Sequence, residues 1–214
     1  DADWVIEAVV ESIDIKHKLY SQIDKVRSPN SIISSNTSTI PLSILTQEMS
    51  DSMKADFCIT HFFNPVRFMR LLEIVETPTM NKDKMDGLRD FCKNAIGKGI
   101  VNCNDTPGFI GNRIGVYAMQ VAMYEALERG LPVEIADALF GRPLGIPKTG
   151  VFGLYELNGL DLMKDVLASF KKELQENDPF MDVVKPHPLV EQLLEKGFNG
   201  NKGPGGFYQT TIVE

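Results

Sequence analysis

His61 stands in the run His61-Phe62-Phe63-Asn64-Pro65, and Glu73 follows twelve positions later within Leu71-Leu72-Glu73-Ile74-Val75. Apolar residues flank both groups. Imidazole takes up and releases protons near neutral pH, so His61 suits a general base. A carboxylate on its second ring nitrogen would fix the tautomer and stabilise the imidazolium. The same residues also fit a hydrogen-bonded core histidine and a charged residue at a strand edge. Spacing alone leaves both readings open.

Other polar groups accompany this pair. Ser35-Asn36-Thr37-Ser38 offers hydroxyls and an amide to a substrate oxygen or a cofactor ring. It fits an ordinary turn with helix-capping hydroxyls equally well. Glu11 and Lys16 lie five apart across a loop-to-helix junction, where a solvated ion pair is the plain alternative. Asn112 and Arg113 open a long helical pattern. Arg67 and Arg70 follow the His61 run and suit a phosphate-bearing tail, or else a charged surface loop. Taken together, the clusters fit proton abstraction coupled to hydride transfer. A hydroxyl loses its proton to a base while its carbon loses hydride. The hydride requires a nicotinamide, because no side chain accepts it.

The elements that must position these groups alternate. Strands are predicted over 4–10, 31–35, 57–62, 71–75 and 98–102. Between them, helices are predicted over 13–26, 41–49 and 82–95, the first with Ile15, Leu19, Ile23 and Val26 on its apolar face. Such alternation gives an α/β sheet, with ligands beyond the carboxyl ends of its strands. Glu11, the Ser35–Ser38 run and the His61–Asn64 run all fall at such ends. After the breaker Asp105-Thr106-Pro107-Gly108-Phe109, helices are predicted over 109–127, 132–139, 160–174 and 189–196. Residues 141–153 are predicted to form a Gly/Pro-rich loop, and the Gly-rich tail 197–206 a turn that docks the C-terminus.

Composition narrows the function classes. The chain has 214 residues, a net charge of -7 and 43% hydrophobic residues. A folded, soluble protein is expected, and the acidic balance disfavours nucleic acid as a partner. No run approaches the ~20 apolar residues of a membrane span. Cys58, Cys92 and Cys103 lack CxxC spacing, so neither a disulfide framework nor a metal site is expected. A reducing, cytoplasmic setting fits. Asp3 to Val10 already reads as a buried strand, which suggests a piece of a larger fold.

Ser35-Asn36-Thr37-Ser38, the His61 run through Glu73, and Asp105-Thr106-Pro107-Gly108-Phe109-Ile110-Gly111-Asn112-Arg113 together resemble the L-3-hydroxyacyl-CoA dehydrogenase family. The loop from Gly145 to Gly153 and the Gly-Gly-Phe-Tyr ending at Tyr208 look most like the dehydrogenase region of multifunctional fatty-acid oxidation proteins. The resemblance implies oxidation of (3S)-3-hydroxyacyl-CoA to 3-oxoacyl-CoA with NAD as cofactor. It makes His61 the base, Glu73 its partner, Ser38 a hydrogen-bond donor to the substrate's 3-oxygen, and Asn112 an orienting group. Glu11, Lys16, Asn36 and Asn64 become cofactor-binding positions, with Asn36 by the nicotinamide and Glu11 and Lys16 near its ribose. The helical part would supply a homodimer interface.

The family's glycine-rich GxGxxG turn does not occur in these residues. The expectation is therefore an incomplete Rossmann-type NAD-binding domain over residues 1–103, followed by a mainly helical domain over 104–214. A companion chain or region would carry the GxGxxG portion. The alternative is a remnant that folds and dimerises without NAD-dependent turnover.

Overall fold

The computed structural model describes residues 2–146 and 148–209. Pro147, within the predicted Gly/Pro-rich loop, lies outside the described residues. The chain divides into two compact units, Asp1–Asn112 and Arg113–Glu214.

The first unit is built on a five-stranded sheet in the order β1-β2-β3-β4-β5. Its strands are β1 (Trp4–Glu7), β2 (Ile32–Ser35), β3 (Phe57–Phe62), β4 (Leu71–Glu76) and β5 (Gly99–Asn102). β1, β2 and β3 run parallel, β4 turns back against β3, and β5 runs parallel to β4. Helix α1 (Ile13–Val26) joins β1 to β2. Two single-turn helices, α2 (Leu42–Leu45) and α3 (Asp51–Lys54), lead to β3, and α4 (Lys82–Asp90), extended by a π turn, leads to β5.

Each face of the sheet has its own core, because strands buried on both sides carry apolar residues in both directions. One face packs Ile33, Phe57, Ile59 and Val75 against Tyr20, Leu42, Leu45, Met53 and Phe109. The other packs Ile32, Cys58, Leu72 and Ile74 against Met85, Leu88 and Cys92.

Three local predictions fail for identifiable reasons. β1 ends at Glu7, not at 10, because the Glu7 carboxylate accepts the Val9 N–H at 2.6 Å and turns the chain out of the ladder. Helix α1 buries Lys16 and Tyr20 while Val26 is 83% exposed, so its inward face is turned from the predicted apolar stripe. The buried carboxylate of Glu7 draws Lys16 inward, and an ion pair outcompetes periodicity there. The single helix predicted over 41–49 is instead the four-residue α2, held from a distance by Asp105. That carboxylate accepts the N–H groups of Leu42 and Ser43 at 2.5 and 2.9 Å.

The second unit is helical. Helix α5 (Gly111–Glu128) starts at the end of the first unit and is followed by α6 (Val133–Leu139), α7 (Phe152–Asn158), α8 (Leu160–Glu173) and α9 (Pro188–Glu195). Met123, Phe152, Tyr155, Leu160, Leu167, Phe170, Phe180 and Val190 form its core. Helix α7 was not predicted. It starts within the predicted loop, where Asp137 accepts the Phe152 and Gly153 N–H groups at 2.7 and 2.8 Å. The Gly-rich tail is fastened by Glu156, whose carboxylate accepts the N–H groups of Phe207 and Tyr208 at 2.5 and 3.3 Å.

Candidate active site

β3 and β4 form an antiparallel pair whose register sets His61 directly opposite Glu73. The twelve-residue spacing is therefore a cross-strand pair across one hairpin. Their side chains meet at 2.8 Å, His61 Nδ1 to Glu73 Oε2, and only 4% of His61 and 1% of Glu73 are exposed. The rings of Phe63 and Phe109 flank the imidazole at 4.4 and 5.6 Å between centroids. With Nδ1–H donating to the carboxylate, the lone pair of Nε2 remains to take a proton.

Glu73 has a second set of donors. Its Oε1 accepts the N–H groups of Ile110 and Gly111 at 3.0 and 2.6 Å, and the Cys103 thiol at 3.6 Å. Burial opposes ionisation of this carboxyl. The hydrogen bonds from His61, Gly111 and Ile110 outweigh it and hold the group below the usual carboxylate range. Glu73 thus remains an anion that fixes the imidazole on one side and the first turn of α5 on the other. A Cβ at Gly111 would lie 2.5 Å from the Phe63 ring, so only glycine lets this turn approach. Asn112, the next residue of α5, is half-buried.

Beyond the ends of β1 and β2 the predicted polar residues meet, on a framework that spacing did not disclose. Glu7 is its centre. Its carboxylate accepts Lys16 Nζ at 2.8 Å, Tyr20 Oη at 2.7 Å and Ser35 Oγ at 2.7 Å. Burial would raise its pKa, but these donors and the Val9 N–H outweigh burial and keep it lowered. Lys16, 1% exposed, also pairs with Glu11 at 3.1 Å. Glu11 in turn accepts the Thr37 hydroxyl and the Ser38 N–H, the latter at 3.1 Å. Its pKa is lowered too, with burial overcome by Thr37, Lys16 and Ser38.

Asn36 ties this loop to the base. Its backbone N–H extends the β1 ladder to Glu7 O at 2.8 Å, and its Oδ1 accepts the Phe62 N–H at 2.9 Å. The structure thus joins Glu11, Lys16 and Ser38, ties Asn36 to the end of β3, and pairs His61 with Glu73. Asn64 is exposed on the loop that follows β3. Glu7 and Tyr20 were missed. Their signal was a carboxylate inside the apolar strand Trp4–Glu7, with a lysine nine positions on.

This donor set fits a dinucleotide's nicotinamide end. Carboxylate oxygens of Glu11 can accept ribose hydroxyls. The Asn36 amide nitrogen and the Ser38 hydroxyl have no hydrogen-bond partner among the described residues.

Comparison with known proteins agrees. Residues 1–106 match the 3-hydroxyacyl-CoA dehydrogenase NAD binding domain, and residues 108–210 match the C-terminal domain of that family. The solved structure of FadB2 from M. tuberculosis is 30% identical with a TM-score of 0.84, over 99% of this chain and 72% of that one. That of (S)-3-hydroxybutyryl-CoA dehydrogenase from Ralstonia eutropha is 31% identical with a TM-score of 0.81, over 99% of this chain and 71% of that one. A Rickettsia felis protein carrying the name fatty acid oxidation complex trifunctional enzyme is 41% identical over 212 residues, 99% of this chain. The chain spans 29% of that relative's length.

These matches correct three expectations. The NAD-binding portion is not missing, since its family model matches residues 1–106. The Rossmann-type fold is not reduced to a remnant, because those residues form one continuous five-stranded sheet with a core on each face. A companion chain supplying an NAD-binding domain is therefore not needed to account for that domain. The expectation failed because it equated a domain with one turn motif. Ladder pairing and apolar burial hold these five strands together without a GxGxxG run in these residues. The chain belongs to the 3-hydroxyacyl-CoA dehydrogenase family, with NAD as its cofactor.

Proposed function

We propose that the chain oxidises (3S)-3-hydroxyacyl-CoA to 3-oxoacyl-CoA in fatty-acid β-oxidation. The observation that carries this is the buried 2.8 Å pairing of His61 Nδ1 with Glu73. His61 Nε2 removes the proton from the 3-hydroxyl as C3 becomes a carbonyl carbon. Glu73, held ionised by Ile110 and Gly111, balances the imidazolium that forms. NAD+, when bound, supplies the hydride acceptor. Ser38 donates its hydroxyl to the 3-oxygen and Asn112 orients the substrate. Asn36 and Asn64 contact the nicotinamide end, and Glu11 and Lys16 its ribose. The proton on His61 passes to solvent before the next turnover.

Membership of the 3-hydroxyacyl-CoA dehydrogenase family supports NAD-dependent oxidation of a hydroxyacyl-CoA. The stereochemistry, the residue roles and a cytoplasmic location are proposed in addition. Cys58, Cys92 and Cys103 are free thiols, which suits a reducing compartment. A homodimer through the helical unit is also proposed, supported by an apolar groove lined by Tyr117, Val121, Leu131 and Leu139. Assay of both enantiomers of 3-hydroxybutyryl-CoA with NAD+ tests the reaction. NADH formation from the (3S) ester and not the (3R) ester is expected. Equal rates, or turnover of free hydroxy acids in preference to the thioester, would sink it.

A further inference from the structure

Cys103 is placed beside Glu73 by the sheet itself. The register sets His61, Glu73 and Val101 in one row across β3, β4 and β5. Side chains alternate along a strand, so the residue two beyond Val101 returns to the face of that row. That residue is Cys103. Its N–H donates to Ile74 O at 2.8 Å, one position past the end of β5, and keeps its backbone in the ladder. The thiol stands 3.6 Å from Glu73 Oε1 and 3.8 Å from Val101 O. It has one proton for two acceptors, and the anionic oxygen is the stronger one. Burial and the nearby charge of Glu73 push this thiol up to about 11, so at neutral pH it keeps its proton and remains a donor. Cys58 and Cys92, by contrast, lie in the apolar core on the other face of the sheet.

The same oxygen is served by a strained turn. Phe109, 2% exposed, holds a φ of 48°, a left-handed conformation that aromatic residues rarely adopt. Gly108 before it is left-handed too, at φ 72°. The turn delivers the next two N–H groups, of Ile110 and Gly111, to Oε1 at 3.0 and 2.6 Å. Strain of this kind persists where the surrounding structure holds it, and it gathers at functional sites. Oε1 thus collects three donors, while Oε2 meets His61. Among the described residues, the titratable groups that meet Glu73 are His61 from β3 and Cys103 from beyond β5. The turn before α5 brings backbone N–H groups only.

A carboxylate shares one charge between its two oxygens. Each donor on Oε1 draws charge from Oε2 and weakens its hold on the His61 Nδ1–H. The two backbone donors are fixed by the fold. The thiol is the one side-chain donor on this oxygen, and the weakest of the three. Resting on the reaction proposed above, we infer that Cys103 is a positioning residue. Its thiol sets how firmly Glu73 grips the imidazole, and so how readily Nε2 takes and releases a proton. Cys103 acts through Glu73 and not on the substrate. The arrangement calls for a weak donor. A stronger one would strip Oε2 of charge and leave the imidazolium unsupported. With none, Glu73 would hold the imidazolium too firmly to give its proton up.

The test compares the wild type with C103A, which removes the donor, and C103S, which keeps one. One readout is the His61 Nδ1–H proton resonance of the free protein at neutral pH, identified by its loss in H61Q. The other is the pH profile of kcat with (3S)-3-hydroxybutyryl-CoA and NAD+. In C103A the resonance is expected downfield of the wild type, and the acid limb of the profile raised by about half a pH unit. C103S is expected at the wild-type position, or displaced the opposite way, in both readouts. A loss of packing alone would lower stability and kcat without moving either position, and that result overturns the proposal. So does a displacement of C103A and C103S in the same direction and by the same amount. If the wild type forms no NADH, the proposed reaction fails and the resonance alone decides. A downfield shift in C103A and not in C103S then supports the role of Cys103. An unmoved resonance, or one shifted equally in both variants, overturns it.

Discussion

Glu7 and Glu73 are buried carboxylates of the first unit, and they do different work. Glu73 is the proposed partner of the catalytic base. One oxygen orients His61 and the other is held by two backbone N–H groups. Replacement by Gln keeps the size but removes the charge that, in the proposed reaction, supports the imidazolium. E73Q is therefore expected to lower kcat by about 10²-fold or more while KM changes little, as measured by steady-state reduction of acetoacetyl-CoA. A KM effect with unchanged kcat would contradict that role. Glu7 faces structure, collecting Lys16, Tyr20, Ser35 and Val9. E7Q leaves Lys16 in the interior with a neutral partner on that side, an error that costs about 3–5 kcal/mol in buried pairs. Chemical denaturation should show that loss, and a destabilisation below about 1 kcal/mol would make the network a minor one. His61 and Glu73 could be singled out from the sequence because a histidine and a carboxylate in apolar strands are rare enough to notice. Glu7 was passed over because its partners are dispersed at positions 16, 20 and 35, and only the fold brings them together.

Among the elements, the hairpin of β3 and β4 and the first turn of α5 must stay in register for the site to exist. The register pairs His61 with Glu73, and Glu73 then receives the turn that carries Gly111. G111A would push a methyl group into the Phe63 ring, which stands beside His61. A destabilisation of about 1–3 kcal/mol by overpacking is expected in urea unfolding, together with a fall in kcat. Wild-type stability and activity would show that the turn yields without cost. The strands and the long helices were legible, since alternation and 3.6-residue periodicity report burial directly. The face of α1 was not, because Lys16 goes inward to a charge that the periodicity of α1 does not contain. Nor was the start of α2, whose N–H groups are satisfied by Asp105, some sixty residues away.

At the scale of the whole molecule, acid should unfold the first unit through carboxylates held as anions, Glu7 and Glu73 in its interior and Glu11 at its surface. Glu7, Glu11 and Glu73 all titrate below their ordinary range in the folded state. Their stabilisation is present above the unfolded pKa and is lost as pH falls through the lowered folded values, since the unfolded chain then binds more protons. The urea midpoint should hold from neutrality to about pH 5 and fall steeply below about pH 4. A flat profile across that window would mean the three carboxylates are not held as anions. The central proposal is that His61 is the base of a hydride-transfer reaction, supported by its buried pairing with Glu73. Its most direct test is H61Q, measured for turnover of acetoacetyl-CoA and, separately, for NADH binding by fluorescence titration. The expected result is a fall in kcat of about 10²–10⁴-fold with the Kd for NADH within about threefold of wild type. Equal losses in turnover and in NADH affinity would make His61 a structural residue and contradict the claim.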